Sequence, residues 1–206
     1  MPGLLGKKLG MTSVYTENGE NVPVTVIEAG PCQVVEIRTN DKDGYEALQL
    51  GFGIRKDKHT NKPLAGICKK NNVKPAKVLK EFKNFNIADY KLGDEITVEA
   101  FKVGDRVKIT SKSIGKGFQG VMRRHGFGGV GQATHGQHNR LRHPGSIGQS
   151  SYPSRVLKGM KMAGRQGNEK VTLKNVSIVK VIPEKNVILV KGAVPGAVNS
   201  IVEIKN

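Results

Sequence analysis

Four histidines, His125, His135, His138 and His143, fall in one short stretch of this chain, and His135 and His138 have two residues between them. Imidazoles so spaced could ligate a transition metal. Such a site needs fixed ligand geometry and acceptors that orient each ring. The sequence offers neither. No Cys, Asp or Glu lies nearby, and the charged neighbours are Arg and Lys, which repel a cation. The missing carboxylate also argues against a histidine-activated nucleophile, and no Ser, Thr or Cys stands in a recognisable nucleophile setting. No metal, cofactor or catalytic residue is expected, and the acidic pair Asp94 and Glu95 reads as a solvated turn.

A second candidate is "GKGFQG", Gly115 to Gly120, which fits the dinucleotide pattern GxGxxG and follows a strand-like "RVKIT". Dinucleotide binding also needs a helix, a second strand and an acid about 20 residues further on to hold the ribose. The next acid is Glu169, far too late, and "VMRRHGFGG" breaks after one or two helical turns. A nucleotide-dependent enzyme is thereby disfavoured.

What remains is electrostatics. The chain carries 34 Lys and Arg against 17 Asp and Glu, a net charge of +17. From Arg106 to Asn168 there are 12 basic residues and no acidic one, with 13 of the 26 glycines. Such a run repels itself in isolation, and nucleic acid removes that repulsion by exchanging counterions for side chains. Arg forks onto phosphates and stacks on bases, and glycine lets the backbone approach closely. Lys112, Lys116, Arg123, Arg124, Arg140, Arg142, Arg155, Lys158, Lys161 and Arg165 are the expected phosphate contacts. His125, His135, His138 and His143 are expected in crevices of the nucleic acid, and Gly145, Ser146, Gly148, Gly159, Gly164 and Gly167 at points of close approach. Aromatics are few (Phe118, Phe127, Tyr152), so a stacking platform for single strands is not indicated. An architectural DNA-binding protein shares the charge. It would be expected to bring a helix for the major groove or an apolar wedge for the minor one, and neither is evident.

The flanking sequence must position this segment, and it reads as β structure. "NVPVTVIEA" alternates with Val22, Val24 and Val26 on one face, "CQVVEIRT" with Val35 and Ile37, and "YEALQLGF" with Leu48, Leu50 and Phe52. Asn18-Gly19 and Asp43-Gly44 suit tight hairpins. "DEITVEAF" and "DRVKIT" each follow a Gly-Asp turn, and "KNVSIVKVIP", "NVILVKGAV" and "SIVEIK" resume the pattern after the basic segment. Many short strands point to a small barrel or sandwich. Strands on both sides of the basic segment suggest one closed barrel from which it projects. "NKPLAGICKKNN" predicts a short helix with Asn61 at its cap and Pro63 in its first turn, and "KVLKEFKNF" fits strand or helix. The expected division is a barrel from 1–54, 91–110 and 169–206, a small α+β insertion over 55–90, and an extended arm over 111–168. No stretch approaches the roughly 18 apolar residues of a membrane span, so no membrane partner is expected. The start of the chain has no apolar run of a secretory signal. Cys32 and Cys68 lack metal-type spacing and read as buried thiols of a reducing cytosol.

Several longer stretches, "GLLGKKLGMTSVYTENGENVPVTVIEAGPC", "SIGKGFQGVMRRHGF", "HPGSIGQSSYPSRVLKGMKMAGRQG" and "NVILVKGAVPG", are similar to the universal large-subunit ribosomal protein L-three family. The resemblance runs over nearly the whole chain and fits the bacterial or organellar form. It implies a non-enzymatic, cytoplasmic protein of the large ribosomal subunit that binds ribosomal RNA near the 3′ end of the large-subunit RNA and nucleates assembly. It implies a β-barrel resembling those of translation factors, and a central extension over about 111–168 reaching toward the peptidyl transferase centre, its tip near His143 to Pro153. Large-subunit proteins fourteen and nineteen are the neighbours it implies. Gln149 occupies the place of a glutamine that a methyltransferase modifies in some bacterial members. Around Gln137 and Asn139 the sequence departs from the commoner "SHGSxxxRxPGS" form.

Overall fold

The computed structural model describes residues 3–83, 85–131, 135–136 and 139–206. The protein is mainly β. β1 (Gly3–Tyr15) and β2 (Asn21–Ala29) form a long antiparallel hairpin. Gly19 closes its turn at φ +80°, and its N–H donates to the Thr16 carbonyl at 2.9 Å. β3 (Cys32–Arg38), the short helix α1 (Asn40–Asp43) and β4 (Ala47–Ile54) make a second hairpin, with Gly44 in the left-handed region at the helix end. Helix α2 (Lys62–Lys70) follows, beginning after Asn61 with Pro63 in its first turn. No side-chain cap bond from Asn61 is present. β5 (Ala76–Phe82) resolves the ambiguity of "KVLKEFKNF" in favour of strand. β6 (Glu95–Ile96) is only two residues long, because the rest of the expected "DEITVEAF" strand turns into a 3-10 coil at Val98–Ala100. β7 (Arg106–Lys112) ends the first half.

The middle of the chain holds β8 (Phe118–Gln119), α3 (Val121–His125) and β9 (Gly164–Arg165). β10 (Lys170–Ile182), β11 (Val187–Lys191) and β12 (Ile201–Lys205) complete it. Six strands close a barrel in the order β1-β12-β7-β10-β11-β2, all neighbours antiparallel. Closure removes the unpaired edges that an open sheet would expose. Register puts Leu4 opposite Ile204, Ile204 opposite Ile109, and Ile27 opposite Ile188. All five are fully buried. Each such side chain stabilises by about 1.5–3 kcal/mol through apolar area removed from water.

One expectation, the division of the chain, is corrected. β3 and β4 do not join the barrel. They form a separate four-stranded sheet in the order β5-β4-β3-β6, so the α+β part is larger than 55–90 and takes strands from 1–54. Alternation fixes which face of a strand is apolar, not which strand it pairs with. β2 buries side chains on both faces: Ile27 and Ala29 enter the principal core, and on the other face Val24 is fully buried while Val22 and Val26 are half-buried. Both faces of "VTVIEA" carry apolar residues, so period two could not choose between them.

β3 is apolar on both faces for a reason. Val34 belongs to the principal core with Leu48, Leu50 and Phe82, whereas Val35 packs against Cys68 and Val73, with Leu64 and Leu79 alongside. Leu64 and Cys68 lie four residues apart on α2, so this one stripe fastens the helix to the sheet. Lys8 of β1 is 9% exposed, and its ammonium donates to the carbonyls of Val194 and Gly196 at 2.7 and 3.0 Å. It ties the β11–β12 connection to the barrel. Gly196 there sits at φ +97°, and a Cβ would lie 2.9 Å from the Lys112 carbonyl. By its internal contacts the chain divides into two compact units, the stretch up to Lys112 with Lys170–Asn206, and Ser113–Glu169.

Candidate nucleic-acid interface

The unit Ser113–Glu169 begins as two antiparallel legs. The Ser113 N–H donates to Glu169 O at 2.9 Å, and the Glu169 N–H to Ser113 Oγ at 3.2 Å. Lys116 N–H donates to Gln166 O, and Gln166 N–H to Gly117 O, at 2.8 and 3.0 Å. β8 then pairs with β9 through Phe118 opposite Arg165 and Gln119 opposite Gly164. Gly167 makes this crossing possible. It sits at φ +73°, and a Cβ there would collide with the Ile114 carbonyl.

This geometry disposes of the dinucleotide pattern. The "GKGFQG" peptide runs as one leg of the ribbon, and the Lys116 N–H is already donated across it. Helix α3 starts at Gly120 and stops at Gly126, in the left-handed region at φ +73°. Five residues are too few to read a groove. Its last turn does something else. Arg124 Nη1 donates to the Met162 carbonyl at 2.8 Å, and His125 Nε2 lies 3.0 Å from the same oxygen. A Cβ on Gly164 would meet Arg124 Nη1 at 2.5 Å, so glycine there admits the guanidinium. Arg124 and His125, both half-buried, thus hold the outgoing chain against the returning one.

Beyond this clamp there is little internal support. Val121 is the buried apolar side chain of the unit among the described residues. Gly129, at φ +73°, packs so close to the Leu141 carbonyl that a Cβ would overlap it. A turn bonds His143 N–H to Arg140 O at 3.3 Å, and Ser146 Oγ donates to Gly148 O at 2.9 Å. Ser154 Oγ donates to Ser151 O, in a turn with Ser154 in the left-handed region.

The side chains singled out in the sequence lie on the outside. Lys112, at the end of β7, is exposed, as are Lys116, Arg123, His135, Arg140, Arg142, His143, Gly145, Ser146, Gly148, Gln149, Arg155, Lys158, Gly159, Lys161 and Arg165. Gly164 and Gly167 are half-buried. His138 lies outside the described residues. Among the described residues no ion pair involves Ser113–Glu169, so its Lys and Arg keep their charge without a protein counter-ion. No group of three potential metal ligands occurs among the described residues, and no helix is long and apolar enough to cross a membrane.

Sequence reading noted Phe118 and Tyr152 only as too few for a stacking platform and passed over the exposed apolar set to which they belong. The same unit exposes Ile114, Phe118, Leu141, Ile147, Tyr152 and Leu157, with Tyr152 84% and Phe118 73% exposed. Scattered singly through a glycine-rich sequence, they show no periodicity, which is why pattern reading misses them. Exposed apolar side chains among unpaired cations suit burial against a partner that is both anionic and partly apolar, as nucleic acid is.

Comparison with known proteins agrees with the resemblance seen in the motifs. The family model described as Ribosomal protein L3 matches residues 79–185. A Large ribosomal subunit protein uL3 of Herpetosiphon aurantiacus is 50% identical over 202 residues, covering 98% of this chain and 94% of that protein. One of the same name from Chloroherpeton thalassium is 51% identical over 205 residues, covering 99% of this chain and 98% of its own length. Matched along nearly its full length by such relatives, the chain belongs to the ribosomal protein L3 family.

Proposed function

We propose that this protein is a non-enzymatic component of the large ribosomal subunit. It binds ribosomal RNA near the 3′ end of the large-subunit RNA, nucleates assembly there, and sends Ser113–Glu169 through RNA toward the peptidyl transferase centre. The observation that carries this reading is the arm itself. It is a unit with one buried apolar side chain among its described residues and exposed arginines and lysines that have no acidic partner. A chain of that kind gains little from packing on itself and much from phosphate. Arg140, Arg142, Arg155, Lys158, Lys161 and Arg165 contact phosphates along it, with Lys112, Lys116 and Arg123 at its root. His143, Gly145, Ser146 and Gly148 form the tip beside Gln149, whose exposed amide is accessible to a methyltransferase. His135 lies in an RNA crevice. Arg124 and His125 act first as the clamp between the legs.

The barrel, which resembles those of translation factors in this reading, and the α+β sheet anchor the arm. They also provide surfaces for large-subunit proteins fourteen and nineteen. The relatives' shared name, that of a large-subunit protein, supports the assignment to that particle. RNA affinity against salt tests it. The full chain is compared with one in which residues 113–169 are replaced by a short glycine-rich linker, on the 3′ part of large-subunit ribosomal RNA, on an unrelated folded RNA and on duplex DNA. Each lost phosphate contact lowers the slope of log K against log salt by about 0.7–0.9. The expected result is a slope flatter by about four units or more, with the preference for ribosomal RNA lost. An unchanged slope, or equal affinity for duplex DNA, overturns the reading.

A further inference from the structure

The arm is not the sole concentration of positive charge. Within the other unit, residues 55–77 hold Arg55, Lys56, Lys58, Lys62, Lys69, Lys70, Lys74 and Lys77 against the single acid Asp57. That is +7 in a unit whose remaining residues nearly balance. All seven lysines are exposed, and none forms an ion pair. Helix physics explains part of this. Lys69 and Lys70 end α2, where cations complement the helix dipole. It does not explain Lys56, Lys58, Lys74 and Lys77, which lie off the helix.

Two of these lysines, Lys69 and Lys74, line a cavity of about 600 Å³ together with Asp57, Thr60, Asn72 and the apolar Ala65, Cys68, Val73 and Pro75. Its chemistry is divided. The lysines attract a phosphate, whereas the Asp57 carboxylate repels one and accepts hydrogen bonds from an amino or imino edge. A nucleotide satisfies both, with its base inside and its phosphate at the rim.

We propose that residues 55–77 form a second RNA-docking surface, separate from the arm, which grips the phosphate backbone through the α2 lysines and takes one unstacked nucleobase into the cavity beside Asp57. The occupant is RNA because the cavity requires a base freed from its stack, and single-stranded loops and bulges are where RNA offers one. The inference rests on the RNA-binding reading above and extends it to a surface that reading does not use.

The experiment uses the full chain in three versions beside the parent. One carries Lys69→Gln, Lys70→Gln and Lys74→Gln. One carries Arg140→Gln, Arg142→Gln and Arg155→Gln in the arm. The third, Ala65→Phe, fills the cavity without changing charge. Binding to the 3′ part of large-subunit ribosomal RNA is followed against salt, with hydroxyl-radical footprints. The six residues replaced in the two charge variants are all exposed, so near-parental unfolding midpoints are expected for both. The lysine variant should flatten the salt slope by about two units and lose a set of protected nucleotides different from those lost by the arm variant. Ala65→Phe should keep the slope and weaken binding about tenfold. As a check on folding at that site, Ala65→Ser should bind like the parent. If the arm variant alone changes slope and footprint, this proposal fails and the arm reading stands. If neither triple variant changes the slope, both fail. Parental affinity of Ala65→Phe removes the nucleobase from the cavity and overturns the proposal in that form.

Discussion

At the scale of single residues, the informative positions are those where chemistry and location conflict. Lys8 is a cation in a barrel wall, and it persists because two carbonyls, of Val194 and Gly196, accept from its ammonium. Lys8→Met keeps much of the volume and strands both carbonyls. An unsatisfied buried polar group costs about 1–3 kcal/mol, so urea unfolding should show a loss on that order, and a neutral Lys8→Met would refute the staple. Cys32 makes a pH prediction. Burial pushes its thiol up to about 12 from 9.0, and the protonated thiol donates to the Leu5 carbonyl. The folded-state pKa is raised, so the contribution is fully present below pH 9. Above it the unfolded chain ionises first, and stability falls as pH rises toward about 12. Cys32→Ser should lessen that alkaline decline. Native Cys32 should also resist iodoacetamide at pH 8.5 until the protein is unfolded, and rapid native alkylation would contradict its burial.

Among the elements, the contrast is between strands that bury side chains and a ribbon that does not. β7 and β10 face a core containing Val107, Ile109 and Ile178, and their backbone bonds are closed on both sides. The ribbon of β8 and β9 has two paired positions and the Arg124–Met162 clamp. Local opening free energy follows buried apolar contact. Amide exchange in the free protein should therefore be slow in β7 and β10 and fast across 139–163, with RNA slowing the latter. Strong protection of 139–163 without RNA would show that the arm holds itself up. The break in composition near residue 111 was readable in the chain, because an acid-free, glycine-rich run needs no partner strand to be noticed. The clamp was not. Nothing local connects Arg124 and His125 with Met162, 37 or more residues away.

For the whole molecule, the core and the charge sit largely in different places. The principal core is assembled from the barrel and the α+β sheet, while Ser113–Glu169 contributes to neither core cluster. Ser113 and Glu169 are hydrogen-bonded to each other, so a few glycines can bridge them. Replacing 113–169 by such a linker should leave stability to urea within about 1 kcal/mol, since a shorter closed loop costs slightly less entropy. A loss of several kcal/mol would mean that the arm supports the fold. Sequence by itself determined the β character, the hairpin turn at Asn18-Gly19, the short helix after Asn61, the expectation of an anionic partner, and the family resemblance; at Asp43-Gly44 it found the left-handed glycine but not the short helix α1 that this glycine ends. Those properties are written in neighbouring residues, through periodicity, turn chemistry and charge density. Tertiary structure decided that β3 and β4 leave the barrel for their own sheet, that Ile27 rather than Val26 faces the core, and that Lys69 and Lys74 line a cavity with Asp57. Strand partners, the choice between two apolar faces and the shape of a cavity depend on which distant segments pack together, and no local pattern carries that information.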